Sequence, residues 1–416
     1  MRRSIVFVLI LFTVGAYAQQ KLSLEECYRM VTANYPIVKQ KALIQQQMQH
    51  DKEALETGKL PQLDFSAQAT YQSEVTKVPL PNSTIKPLDK DQYKATLTAN
   101  ELIFGGGAVD AAVRTKQAEL KAKEQQVDVN LYQLKKQVNQ LYFSVLLIQE
   151  KEALLAKKKA QLQEKLKEVR AGVSFGTLLP ASDKVLEAEL LKIDQQSVEI
   201  NRNKLSVLET LSALTGKAIT SESEFTCPLI KIDTTTALSR PELDLFQYKK
   251  DQVSAAEKQL SKQNIPKLFG FATGGYGNPG LNMLDNSFQP FYIVGLKLNW
   301  NVFDWDANKK KRQSLLLNNA LVDNEQEVFE LNSNIELNQQ LSEIKKLKAI
   351  IASDQKIVNL RNEVLDSAAS QLRNGVITAS AYITELTNLY EAESDLSTHN
   401  TQLLLAMVNY NTIKGN

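Results

Sequence analysis

Residues 61–72 read Pro61-Gln62-Leu63-Asp64-Phe65-Ser66-Ala67-Gln68-Ala69-Thr70-Tyr71-Gln72, and the alternation within them decides the fold. Leu63, Phe65, Ala67, Ala69 and Tyr71 fall on one side of an extended chain; Gln62, Asp64, Ser66, Gln68 and Thr70 fall on the other. A period of two marks a strand with one apolar and one polar face. Tyr93, Ala95, Leu97 and Ala99 alternate in the same way with Lys94, Thr96, Thr98 and Asn100. So do Tyr292, Val294, Leu296, Leu298 and Trp300 with Ile293, Gly295, Lys297 and Asn299, and a weaker strand lies near 266–276. The strand pairs span about 61–104 and 266–303, joined by loops with Pro79, Pro81 and Pro87, and with Pro279 and Pro290.

Strands of this length suit a tilted crossing of an apolar band ~25 Å tall. Tyr71, Tyr93, Tyr276 and Tyr292 at one level, and Phe104, Trp300, Phe303 and Trp305 at the other, are expected to form interfacial girdles. The competing reading is a soluble sheet with its apolar face on helices. Four strands cannot close a wide barrel, and lipid does not tolerate an open edge, so closure must come from other copies. Three chains would give twelve strands under cyclic symmetry.

The chain is duplicated. Pro36, Pro61, Leu63, Ala67 and Tyr71 are answered at a spacing of 205 by Pro241, Pro266, Leu268, Ala272 and Tyr276. Arg170, Gly172 and Val173 are answered at 203 by Arg373, Gly375 and Val376. The expected organisation is a first repeat over 19–216, a Thr- and Ser-rich linker over 217–239, and a second repeat over 240–416. Residues 1–18, with Arg2 and Arg3, an apolar run Ile5 to Val14 and Ala16-Tyr17-Ala18, form a secretory signal.

Val113, Leu120, Val127, Leu134, Leu141, Ile148, Leu155, Leu162 and Val169 recur every seventh residue, as do Leu337, Ile344, Ile351, Val358, Leu365 and Leu372. Such a seam predicts long left-handed coiled-coil helices; one from about 108 to 170 would measure on the order of 95 Å. Four residues beyond each seam position, Leu131, Val138, Val145 and Leu166 are mixed with Gln117, Glu124, Glu152 and Lys159. That mixture predicts several packing neighbours rather than an isolated coiled coil. Arg170-Ala171-Gly172-Val173 and Arg373-Asn374-Gly375-Val376 interrupt the heptads, so two helical hairpins with tips near 172 and 375 are expected. Ser23-Leu24-Glu25-Glu26 reads as a capping box opening a helix that runs to about Gly58.

Without Arg2 and Arg3, the 49 basic side chains become 47, equal to the 47 acidic ones, which argues against nucleic acid as a partner. Past the signal, no apolar run reaches the ~18 residues of a membrane-spanning helix. Cys27 and Cys227 leave a disulfide and two thiols both open. His50 and His399 stand on separate helices, and no metal spacing, nucleophile elbow or phosphate loop is present. Lys309-Lys310-Lys311-Arg312 reads as a solvated flank, Lys157-Lys158-Lys159 as a wet helix face, and Asp304 and Asp306 as caps of the helix they precede.

Ser23-Leu24-Glu25-Glu26 with Asn34-Tyr35-Pro36, Lys59-Leu60-Pro61, Leu102-Ile103-Phe104-Gly105-Gly106-Gly107 and the two Arg-x-Gly-Val stretches resemble, in that order, the TolC-type outer-membrane efflux protein family. The resemblance covers essentially the whole mature chain. It implies a mainly α fold with membrane β: a homotrimer whose protomers each give four strands to a twelve-stranded outer-membrane barrel above a periplasmic helical tunnel. It further implies no enzymatic activity and no cofactor. The function it implies is a passive exit duct of a tripartite efflux or type I secretion system in a Gram-negative bacterium. Outer-membrane lipid, a periplasmic adaptor and, through the adaptor, an inner-membrane transporter are the implied partners. Arg170, Ala171, Gly172 and Val173, with Arg373, Asn374, Gly375 and Val376, resemble the adaptor-contacting tips. Relatives carry gate aspartates after the second tip; the matching positions here are Ala381 and Thr384, with Glu385 adjacent. The alternative is a periplasmic coiled-coil adaptor or scaffold without a barrel.

Overall fold

The computed structural model describes residues 21–76 and 87–415. The expected signal over 1–18 lies outside the described residues, as do Pro79 and Pro81. In chain order the elements are β1 (Lys21–Leu22), α1 (Leu24–Asn34), a 3-10 turn (Pro36–Val38), α2 (Lys39–Glu56), β2 (Gln62–Tyr71), β3 (Asp91–Phe104), α3 (Ala108–Ser174) and α4 (Ser182–Thr215). There follow β4 (Glu224–Phe225), α5 (Pro241–Ser261), β5 (Lys267–Asn278), β6 (Gln289–Asn299), α6 (Ala307–Arg373) and α7 (Ala379–Lys414). Helices α3 and α6 each have 67 residues, a contour of roughly 100 Å. Among the described residues, no helix is long and apolar enough to cross a membrane.

The described residues divide into two compact units: those within Met1–Val38, Asn130–Arg240 and Leu331–Asn416, and those within Lys39–Val129 and Pro241–Glu330. Each sequence repeat therefore contributes to both units. In the first unit, Leu155, Leu162 and Val169 of α3, Leu186 and Ile193 of α4, Val358, Leu365 and Leu372 of α6, and Tyr382, Leu386 and Leu389 of α7 bury a common core. A second core in that unit gathers Cys27, Met30, Val138, Tyr142, Phe143, Leu211 and Phe225. The second unit holds the four-stranded antiparallel sheet, in the order β2-β3-β5-β6, and a small core of Ala122, Val129 and Leu245.

Several sequence expectations need correction. The first helix does not run unbroken to Gly58. It stops at Asn34, because a residue before proline is pushed out of the helical region and Pro36 has no N–H to donate. Of the capping box only the serine half forms: the Glu26 N–H donates to Ser23 Oγ at 3.2 Å, while the Glu26 carboxylate turns to Arg29. The segment 217–239 is more than a linker, since Lys21 and Leu22 pair in parallel with Glu224 and Phe225. The second strand pair ends at Asn299 rather than 303.

The heptad seam also drifts. Leu120, Val127, Leu155, Leu162 and Val169 are buried, whereas Leu134, Leu141 and Ile148 are half-buried and Leu131, Val138 and Val145 take their place. A seven-residue repeat on a 3.6-residue helix slides around the axis, so the buried stripe steps to its neighbour. The polar positions beside the seam face neighbouring helices. Gln45 of α2 donates to Glu124 at 3.0 Å, and Lys204 and Asp194 of α4 meet Glu152 and Lys159 at 2.7 and 2.5 Å.

Candidate functional site

Register across the sheet shows which residues share a face. Leu63, Ala99, Ala272 and Val294 form one row; Phe65, Leu97, Gly274 and Tyr292 form the next. All the large apolar members of these rows are exposed. The opposite face carries Asp64, Thr98, Thr273 and Ile293 in one row, with a 3.0 Å hydrogen bond between the Thr98 and Thr273 hydroxyls. Among the described residues β2 pairs only with β3 and β6 only with β5, which leaves one open edge on each. An oily face and two unsatisfied edges on one sheet are costly in water.

The tyrosines of the expected girdle lie obliquely. Tyr71 pairs with Asp91, Tyr93 with Ala69, Tyr276 with Ala95 and Tyr292 with Gly274, a shift of one apolar row per strand. On strands inclined by roughly 40° such an oblique line comes out close to level. At the other end Phe104 pairs with Leu268, Trp300 donates its indole N–H to the Asn264 carbonyl at 3.1 Å, and Phe303 packs edge-on against Trp305 at 4.8 Å.

The turn from sheet to long helix is built twice from different residues. Gly106 and Gly107 hold φ of 58° and 78°; Trp305 and Asp306 hold 55° and 61°. Asp304, not Asp306, caps α6: its carboxylate accepts from the Asn308 N–H at 3.0 Å and from the Asn264 amide at 2.7 Å. These bonds hold the Asp304 carboxyl below the usual carboxylate range, the Asn264 contact being the larger cause.

The first hairpin turns at Gly176 (φ 71°), not at Gly172, and the second at Gly375 (φ 70°). Gly172 lies inside α3, where its carbonyl accepts from the N–H groups of Thr177 and Leu178; Gln371 plays that part in α6, accepting from Val376 at 2.9 Å. The structural spacing between the tips is thus 199, four less than the sequence reading. A four-residue slip keeps a heptad stripe on the same helix face, so the apolar pattern could not fix it. Arg170 and Val173 lie in the last turns of α3; Arg373, Asn374 and Val376 sit at the second turn itself and are exposed. The two tips lie side by side, since a Cβ on Gly375 would stand 3.4 Å from the Thr177 carbonyl oxygen. Arg170 bonds Glu187 across the first hairpin at 2.8 Å, and Arg170, then Lys184, pulls the Glu187 carboxyl below its ordinary value. Phe175, Leu179 and Val376 project freely.

At the gate positions Ala381 and Thr384 are exposed near the start of α7, whereas Glu385 is tied to Arg361 at 3.3 Å and to Asn388 at 3.2 Å. His50 faces Glu53 at 3.8 Å and His399 meets Asp354 at 2.7 Å. Cys27 is buried and Cys227 exposed, both as thiols. In the basic run 309–312, Arg312 pairs with Glu257 at 2.6 Å and the lysines are exposed. The run 157–159 is not a uniformly wet face, because Lys158 is only 4% exposed and reaches Glu189 at 3.0 Å and Thr387 at 3.3 Å. Sequence reasoning missed it, because the heptad places the position beside Leu155 at Lys159, one residue further on. It also missed Asn139, fully buried among Tyr28, Asn409 and Thr412.

Long paired helices and a small sheet with one exposed apolar face are therefore the features to compare with known proteins. A family model described as Outer membrane efflux protein matches residues 27–217. The Campylobacter jejuni CmeC outer membrane channel is similar in fold, with a TM-score of 0.66 at 16% identity over 94% of this chain and 85% of its own. Vibrio cholerae VceC gives 0.66 at 15% over 93% and 95%, and the open state of Neisseria gonorrhoeae MtrE 0.66 at 16% over 94% and 89%. No curated protein sequence matches significantly. Residues 27–217 thus match the outer membrane efflux protein family, and the chain as a whole has the fold of these outer-membrane channels.

Proposed function

We propose that three copies of this chain join their sheets edge to edge into one twelve-stranded barrel, and that the assembly is the passive exit duct of a tripartite efflux or type I secretion system. The observation that carries the reading is the sheet itself, whose exposed apolar face and two open edges are both satisfied only by lipid outside and by further copies at the sides. Strand directions support it: β2 and β6 run opposite ways, so β6 of one copy meets β2 of the next in the antiparallel sense used throughout. The helices continue the path through the periplasm. The adjacent tips, Arg170 to Val173 with Gly176, and Arg373 to Val376, are the contacts for a periplasmic adaptor, which links the duct to an inner-membrane transporter. Ala381, Thr384 and the Arg361-bound Glu385 line the entrance. Tyr71, Tyr93, Tyr276, Tyr292, Phe104, Trp300 and Phe303 rim the lipid band. Energy comes from the transporter, and the chain performs no catalysis.

Membrane separation with cross-linking tests this reading. The protein should sediment with outer membranes, resist salt and urea washes, and cross-link to a trimer. A salt-released monomer would instead favour the scaffold.

A further inference from the structure

On the sheet face opposite the exposed apolar one, two phenylalanine rings lie over glycines in a crossed arrangement. Phe271 of β5 pairs with Gly295 of β6, and four residues along, Gly275 of β5 pairs with Phe291 of β6. A Cβ on Gly295 would fall 2.9 Å from two ring atoms of Phe271, and one on Gly275 would fall 2.3 Å from Phe291 Cζ. Both rings thus occupy the space that a side chain would fill. Lys94 Nζ also lies over the Phe291 ring, 5.0 Å from its centroid, a cation–π contact that helps to fix the ring. Glycine weakens a strand interior, and an aromatic ring packed over it offsets part of that loss.

We infer that Gly275 and Gly295 are seats that hold Phe291 and Phe271 out of the passage, so that these four residues set the width of the lumen and the size of solute that passes. The inference rests on the duct reading, since only in a closed barrel does this face line a passage; three copies then bring six rings to one wall. Any side chain at either glycine expels the ring it seats, and with β-strands on both sides the ring turns inward.

The test is single-channel recording of purified protein in planar bilayers, which counts only assembled channels and so separates width from folding yield. Gly275→Ala and Gly295→Ala channels should each show a lower single-channel conductance than wild type. Gly275→Ala/Phe291→Ala and Gly295→Ala/Phe271→Ala should regain wild-type conductance or exceed it. Alanine channels that conduct like wild type, or a deficit that persists in the doubles, would overturn the inference. A wild-type protein that forms no channels would instead sink the duct reading and this one with it.

Discussion

Gly176 and Gly375 show what single residues decide at the tips. Both hold a left-handed φ that costs any other L-residue roughly 1–2 kcal/mol. Gly176→Ala and Gly375→Ala should each loosen a tip by about 1 kcal/mol, seen as faster trypsin cleavage at the turn while heat-resistant trimer is unchanged. Gly172 acts differently, because a Cβ there would lie 2.6 Å from Leu178 Cδ1. Gly172→Ala should therefore open the first tip and Leu178→Ala should suppress the effect; an unsuppressed double would refute the contact. Cys27 is fully buried, and burial, then Glu26 and Glu25, pushes its thiol up to about 12, while Cys227 is exposed. A thiol reagent at about pH 8 should label Cys227 in the native protein and Cys27 only after denaturation. A native Cys27 that reacts at the same rate would contradict the packing.

Among the elements, those with a strong period were legible and those without one were not. Ten residues of alternation place β2, but β1 and β4 are two residues each and carry no pattern that a sequence can show. They are held by the Tyr142 hydroxyl, which reaches the Leu22 carbonyl at 2.9 Å and the Thr226 carbonyl at 2.6 Å. Tyr142→Phe should cost about 1–3 kcal/mol and raise hydrogen exchange around 224–226. The lysine run shows a different limit: three identical letters hide one buried side chain. Lys158→Ala should cost about 2–4 kcal/mol by chemical denaturation, since Glu189 loses its principal partner. Lys157→Ala, at an exposed pair with Glu393, should stay within about 0.5 kcal/mol. Equal effects would mean that the run is one solvated face after all.

At the scale of the whole molecule, the repeat was readable because both halves return to the same elements, yet its register was not. Prolines and apolar strand residues mark the strand pairs at 205, whereas the turns return at 199, and the coiled-coil stripe between them is indifferent to a slip of four. The orientation of the sheet is the property on which the proposed assembly depends. Leu296→Lys, on the exposed apolar face, should cost roughly 2–4 kcal/mol near mid-bilayer and deplete folded protein from the outer membrane. Thr96→Lys, on the other face, should leave its abundance near wild type. A reversed outcome would turn the sheet inside out.

The pairing of Lys21 and Leu22 with Glu224 and Phe225 has a consequence for biogenesis. A chain delivered amino end first presents β1 about two hundred residues before its partner arrives, and closing so distant a contact is slow. Leu24, Cys27 and Met30 share a core with Val138, Tyr142 and Phe143 and with Phe225, so that core is complete only when the last of these arrives. The β1 segment is thus among the last to settle although it is made long before its partner, and a holding chaperone would find its client there.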